Sequence, residues 1–338
     1  MIQRIPRTLR LLALLCAVLA LALAQLATGS TASAAETLAA VLGHADQLTA
    51  QIVHDLRMPR MLVGAGAGMC LGMAGVVLQA VLRNPLASPD VTGVGSGAVL
   101  GAVAATLIGG DFAAPTRMIL VAVVGGTLGG AVLWLVAMRA GTDPVRLVVI
   151  GVMVSAAFSG GSMVLLTARP QLTGSMAQWL IGSLNGRTWA HWSALWPWLL
   201  TAAVAGLLVS AVIQLLSVDD DHGHAVGLAI SPWRSAVLLI AVVLTAVAIA
   251  SVGAMAFVGL LAPHAARALF GADLRFALPA AGMLGAAAVC GADVVAQTVT
   301  SWAADPSRAG VPTGAVTAVL GAVVLIRVAR RSSTTGGN

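Results

Sequence analysis

Charged residues are missing from long stretches of this chain: none occurs from Leu11 to Ala35, from Met61 to Leu82, from Thr188 to Val218 or from Ser235 to Ala266. A helix needs roughly 17 to 25 apolar residues to cross about 30 Å of hydrocarbon, and these runs supply them. They lack the weak apolar and polar alternation of a membrane barrel. With 59% hydrophobic and 9% charged residues, the chain has too little polar surface to cover a water-soluble globule. The sequence predicts an all-α, polytopic membrane protein whose residues 1–338 form a single transmembrane domain.

Reading the apolar runs between charged or Pro/Gly-rich breaks gives ten spans, at about 11–27, 62–82, 93–109, 116–138, 145–167, 193–217, 234–252, 254–270, 277–299 and 311–328. The eighth is short, follows the seventh almost without a loop, and reads as a broken or partly re-entrant helix. All 18 basic residues are Arg. If the N-terminus is cytoplasmic, twelve of them fall on the cytoplasmic side and six on the other, which obeys the positive-inside bias and returns the C-terminus to the cytoplasm. The basic start, the run Leu11 to Ala27 and the following "ASAAE" also have the look of a signal peptide. Retaining the run makes the charge arithmetic work without further assumptions.

Much chemistry is excluded. Without a Lys the chain holds no Walker A site, so nucleotide energy must come from another subunit. Cys16, Cys70 and Cys290 sit far apart in apolar runs and read as small buried hydrophobes. "DDDHGH" (219–224) offers ligand types but reads as a hydrophilic loop, and no metal site, cofactor, nucleic-acid surface or enzyme constellation is expected. Of the twelve acids only Asp293 lies well within a span, where a proton relay and a hydrogen bond to a neighbouring helix both fit. A proton-coupled secondary transporter using Asp293 is the competing reading. Glycine-rich helices such as "GAGAGMCLGMAG" (64–75) and "GGTLGG" (125–130) point to close helix packing.

Several segments together carry a resemblance: "RMPR" before span two, "RNPLASPDVTGVGSGA" after it, "DPVRLVVIGVMVSAAF" opening span five, "QWLIGSL" at 178–184, "FVGLLAPHAAR" at 257–267, "GADVVAQ" at 291–297 and "VPTGAVTAVLGA" at 311–322. From about residue 50 to 328 the chain resembles the FecCD family, the permeases of ABC importers for iron-siderophore complexes, haem and cobalamin. That resemblance implies a type II ABC importer permease of ten helices in a bacterial cytoplasmic membrane. It implies a second permease subunit, two ATP-binding subunits on the cytoplasmic face, an extracytoplasmic substrate-binding protein, and alternating access driven by the partner's ATP hydrolysis.

The resemblance also implies site residues. Arg57 and Arg60 match an Arg pair that lies outside and meets acidic residues of the binding protein. A third docking Arg is usual where this chain has Gln297, and Arg308 is the substitute nearby. Asp220, Asp221, His224 and Gly227 fall on the loop that couples permease to ATPase, with His224 where an Arg is usual, so coupling is expected to respond to pH. Arg83, Asn84, Pro85, Pro89 and Asp90 form a cytoplasmic turn, with Asp90 near the N-terminus of span three, where a negative charge suits the helix dipole. "GAMAF" (253–257) departs from the family's pattern, as does the lack of an acidic residue around Ala309 and Gly310. Homodimer and heterodimer both remain open. The aromatic cluster from Trp179 to Trp198 reads as a belt at the outer interface.

Overall fold

The computed structural model describes residues 6–29, 33–109, 114–140, 144–168, 178–218, 227, 229–302 and 310–335. Among them every regular element is a helix. α1 (Arg7–Ala27) is followed by two short helices, α2 (Ala34–Val41) and α3 (Gln47–Gln51), each started by a side-chain cap. Ser33 and Glu36 close a capping box, and Asp46 accepts from the Thr49 N–H. α3 passes through a π-helical turn, Ile52–Arg57, into α4 (Met58–Val81). Pro59, in the first turn of α4, has no N–H for the preceding turn, and the register widens there so that the Met58 N–H donates to the Val53 carbonyl.

Among the described residues six helices are long and apolar enough to cross a membrane: α1, the joined α3–α4, α6 (Pro115–Ala140), α7 (Pro144–Ala168), α10 (Ile230–Val252) and α12 (Leu274–Trp302). α8 (Trp189–Leu208) and α9 (Ser210–Leu216) meet at a 62° bend and together make a seventh. α5 (Val94–Gly109), α11 (Val258–Phe270) and the apolar part of α13 (Thr313–Thr335) are shorter. The stretches expected from the sequence fall on these elements, with 193–217 shared by α8 and α9. α5 and α11 are short because each begins at a break buried among neighbours. Pro89 packs on Gly259, and a side chain on Gly93 would run into the Val154 side chain of α7. Such irregular backbone is tolerated at depth only where protein surrounds it.

α4 is the hub, buried along most of its length. Its glycines set the packing distances, because a Cβ at Gly68 would collide with the Gly285 carbonyl, one at Gly72 with that of Ala281, and one at Gly75 with that of Gly259. Lipid offers no hydrophobic drive between helices, so this backbone approach, with its dispersion contacts, replaces it. α5 and α6 interlock in the same way at Gly97 and Gly125. α1 and α7 lie at the periphery, exposing Leu12, Leu19, Leu23, Met153 and Val164 as a lipid-facing helix must. Of the tryptophans expected to form an outer belt, Trp196 is exposed, whereas Trp179 is buried with the Arg187 guanidinium 4.9 Å above its ring.

Candidate functional site

At the end of the bundle where α1 finishes and α4 begins, four helices, its own included, converge on Asp293, which is 0% exposed. Oδ2 accepts from Gln25 Nε2 of α1, Arg60 Nε of α4 and Gln297 Nε2 of α12, each at 2.8 Å. Oδ1 accepts from Arg60 Nη2 at 2.8 Å and from the Thr313 hydroxyl of α13 at 2.7 Å. The Arg60 guanidinium is thus bidentate on the carboxylate, and its remaining edge donates from Nη1 to Asn185 Oδ1, 2.9 Å away in the segment before α8. A carboxylate offers about four lone-pair sites, and five donors already address this one. The relay reading of Asp293 required an accessible acceptor, and here the carboxylate is a saturated, ion-paired junction between helices.

Arg57 and Arg60, expected to face a binding protein, both make bonds within the chain, and each keeps part of its surface exposed. Arg57 Nη1 donates to the Leu26 carbonyl at the end of α1 and to the Thr37 hydroxyl of α2. Gln297 donates from Nε2 to Asp293 Oδ2. Arg308, Asp220, Asp221 and His224 lie outside the described residues, and Gly227 is described only as an exposed glycine with φ +77°. Close to the Asp293 cluster sits one cation that sequence reasoning passed over. Arg187 is buried, donating to the Ser183 carbonyl, to Gln178 Oε1 and towards His191 Nε2, all neutral groups. Burial pushes its pKa down to about 10, which leaves it charged at neutral pH.

The second cluster is the break between α4 and α5. α4 ends in a Schellman pair, with the Asn84 N–H on the Gln79 carbonyl and the Arg83 N–H on that of Ala80. Arg83 takes the left-handed position, φ +49°, that glycine usually fills, and its Nε ties the turn to the Leu216 carbonyl of α9. Asn84 Oδ1 accepts from the Leu86 N–H, Pro85 is exposed and Pro89 is buried. Asp90 was expected to serve the dipole of α5; its Oδ2 accepts from the Phe257 N–H at 3.3 Å and so caps α11. The cap is needed because the chain enters α11 from "GAMAF" with Phe257 left-handed at φ +66°. Ser155 of α7 fastens the same break, donating to the Asp90 carbonyl and accepting from the Gly93 N–H.

Comparison with known proteins agrees with this architecture over most of the chain. The ferric enterobactin transport system permease protein FepG of Escherichia coli (strain K12) is 37% identical over 298 residues, 88% of this chain and 87% of that protein. The cobalamin import system permease protein BtuC of Halobacterium salinarum is 31% identical over 288 residues, 83% of this chain and 74% of that one. A solved structure assigned to the metal-chelate type of ABC transporter, in an inward-facing conformation, superposes with a TM-score of 0.79 at 25% identity, covering 96% of this chain and 99% of the other. The FecCD transport family profile matches residues 12–331. Taken with the helices it spans, that match makes this chain a member of the FecCD transport family.

Proposed function

We propose that the chain is the permease subunit of an ATP-binding-cassette importer that carries an iron-siderophore-type chelate across a bacterial cytoplasmic membrane. The observation that carries this reading is similarity along nearly the whole length to permeases whose names specify ferric enterobactin, Fe(3+)-citrate and cobalamin. The chain lacks the Lys of a Walker A site, so ATP is hydrolysed by a separate subunit, in two copies, on the cytoplasmic face. A second permease subunit completes the pathway, and an extracytoplasmic binding protein delivers the chelate. Both termini are cytoplasmic, which puts the Asp293 junction at the outer end and the pairing of Arg7 with Asp273 at the inner end. Arg57 and Arg60 then lie on the outer rim, where acidic side chains of the binding protein dock, with Arg308 assisting. The loop bearing Asp220, Asp221, His224 and Gly227 receives the ATPase, and the turn from Arg83 to Asp90 lies on its side of the pathway.

The proton-coupled alternative loses support from the occupancy of Asp293. The deciding experiment is to tag the chain at its C-terminus, extract it gently from its native membrane and identify what copurifies stoichiometrically. An ATPase subunit, with or without a second ten-span chain, is the expected result. A chain that purifies alone, with uptake abolished by an uncoupler but indifferent to ATP depletion, would overturn the proposal.

A further inference from the structure

The bidentate grip of Asp293 fixes the orientation of the Arg60 guanidinium and leaves Nη1 as the edge turned away from the carboxylate. Among the described residues that edge is held only by the amide oxygen of Asn185, an exposed residue, and Arg60 itself retains 22% side-chain exposure. An amide oxygen is a weaker acceptor for a guanidinium than a carboxylate, because the charge-assisted bond is roughly twice as strong. An acidic side chain arriving at this rim therefore displaces Asn185 without breaking the pair beneath it.

Asn185 is placed so that its release matters. It lies between two left-handed glycines, Gly182 (φ +79°) and Gly186 (φ +71°). Gly186 has open space around it, whereas Gly182 is locked against the Ala254 carbonyl and its own carbonyl accepts from the Gly314 N–H. The segment is also paired to the end of α10, Ser183 N–H to the Val252 carbonyl and Ala254 N–H to the Trp179 carbonyl. From there the chain runs through the turn that ends at Phe257, whose N–H is held by Asp90 in the other break. A swing about Gly186 thus acts on the junctions of α10, α11 and α13.

We propose that Asn185 is the residue that reports docking: a carboxylate of the binding protein takes its place on Arg60 Nη1, and the freed 182–186 segment passes the event to the α10–α11 junction. This rests on the docking reading of Arg60 given above. The test uses the whole importer, purified through the tagged chain and reconstituted in nanodiscs, with the binding protein that copurifies with it added back free of chelate. Asn185→Ala removes the competitor for the incoming carboxylate, so affinity for the binding protein rises about two- to tenfold. Basal ATP hydrolysis rises towards the docked rate. Asn185→Asp supplies a tethered carboxylate in place of the incoming one, and affinity falls about tenfold or more. Opposite signs are the signature, since a residue that merely holds the loop together would weaken docking in both variants. Two variants that both weaken docking, or both match the wild type, overturn the proposal. The underlying reading is tested separately with Arg60→Gln in an Asp293→Asn background, which leaves no unpaired charge. Wild-type affinity in that double variant would remove docking at Arg60 itself, whereas weaker affinity there beside indifferent Asn185 variants would remove only the reporter.

Discussion

Replacing Asp293 by Asn keeps the shape of the junction and removes its charge, and the five donors allow the consequence to be worked out. The new amide group must stand on one of two sides. On the Oδ2 side it would face three N–H donors, from Gln25, Arg60 and Gln297; on the Oδ1 side it would face Arg60 Nη2 and the Thr313 hydroxyl, which can rotate to accept. It therefore settles against Thr313, and the main loss is the charge pairing of Arg60. Removing one member of a buried ion pair costs roughly 3–5 kcal/mol. Because Arg60 is 22% exposed, the lower end, about 3 kcal/mol, is expected. The neutral contacts are smaller: Thr313→Val or Gln25→Leu should cost about 0.6 kcal/mol each, the average for a hydrogen bond between membrane helices. The double variant Arg60→Gln, Asp293→Asn leaves no stranded charge and should be less damaged than the sum of its singles by about 2 kcal/mol. The assay is reversible unfolding of the purified chain in mixed micelles titrated with a denaturing detergent, read as fraction folded. If Thr313→Val costs as much as Asp293→Asn, or the two charge variants simply add, the pair is not what holds the junction.

Gly72→Val drives a branched side chain into the Ala281 carbonyl and should abolish accumulation of folded protein in the membrane, whereas Gly291→Ala, with nothing within 4 Å, should raise stability by up to about 1 kcal/mol through helix propensity. Immunoblots of membrane fractions and the same unfolding titration separate the two. Asp90→Ala removes the cap of α11 and should cost about 1 kcal/mol, while Asp90→Asn should cost only a few tenths; equal losses would mean that the Phe257 contact is incidental. His224→Arg should flatten the dependence of ATP hydrolysis on pH between about 6 and 8, where His titrates, and an unchanged profile would dismiss a role for that histidine in coupling.

The apolar runs disclosed the helices because, in a bilayer, a long charge-free stretch has few alternatives. They did not disclose the breaks. Pro85 and Pro89 showed that a helix must stop near residue 83, but nothing local showed that Asp90 would serve a helix starting at residue 258, since the cap joins groups 167 residues apart. The same applies to Asp293. Its position inside an apolar run marked it as costly, yet its donors come from α1, α4 and α13 as well as its own helix, and only the assembled bundle shows whether a buried acid is free to take up a proton. Arg187 escaped notice for the opposite reason, because a single Arg after an Asn-Gly pair looks like a surface residue until Trp179 is found beneath it. Gln297 was legible as a departure from a pattern, but its bond to Asp293, four residues back along its own helix, was not.

Two negatives, one from sequence and one from geometry, bear together on where the energy for movement comes from. A chain without Lys cannot hold the phosphates of a nucleotide in a P-loop, and the one fully buried acid among the described residues has every acceptor site filled by a donor from this same chain. A proton reaching Asp293 would have to displace Arg60 or Thr313, at a cost comparable to breaking the junction itself, so it cannot be loaded and unloaded cheaply in each cycle. What the fold does provide is a set of breaks at 82–93, 182–186 and 253–257, the last two joined by neighbouring backbone hydrogen bonds and the first tied to the third by the Asp90 carboxylate, all stiffened by glycine-packed helices. Rigid helices meeting at a few shared turns transmit a displacement well but generate none, which is the division of labour expected when force is applied from outside the chain.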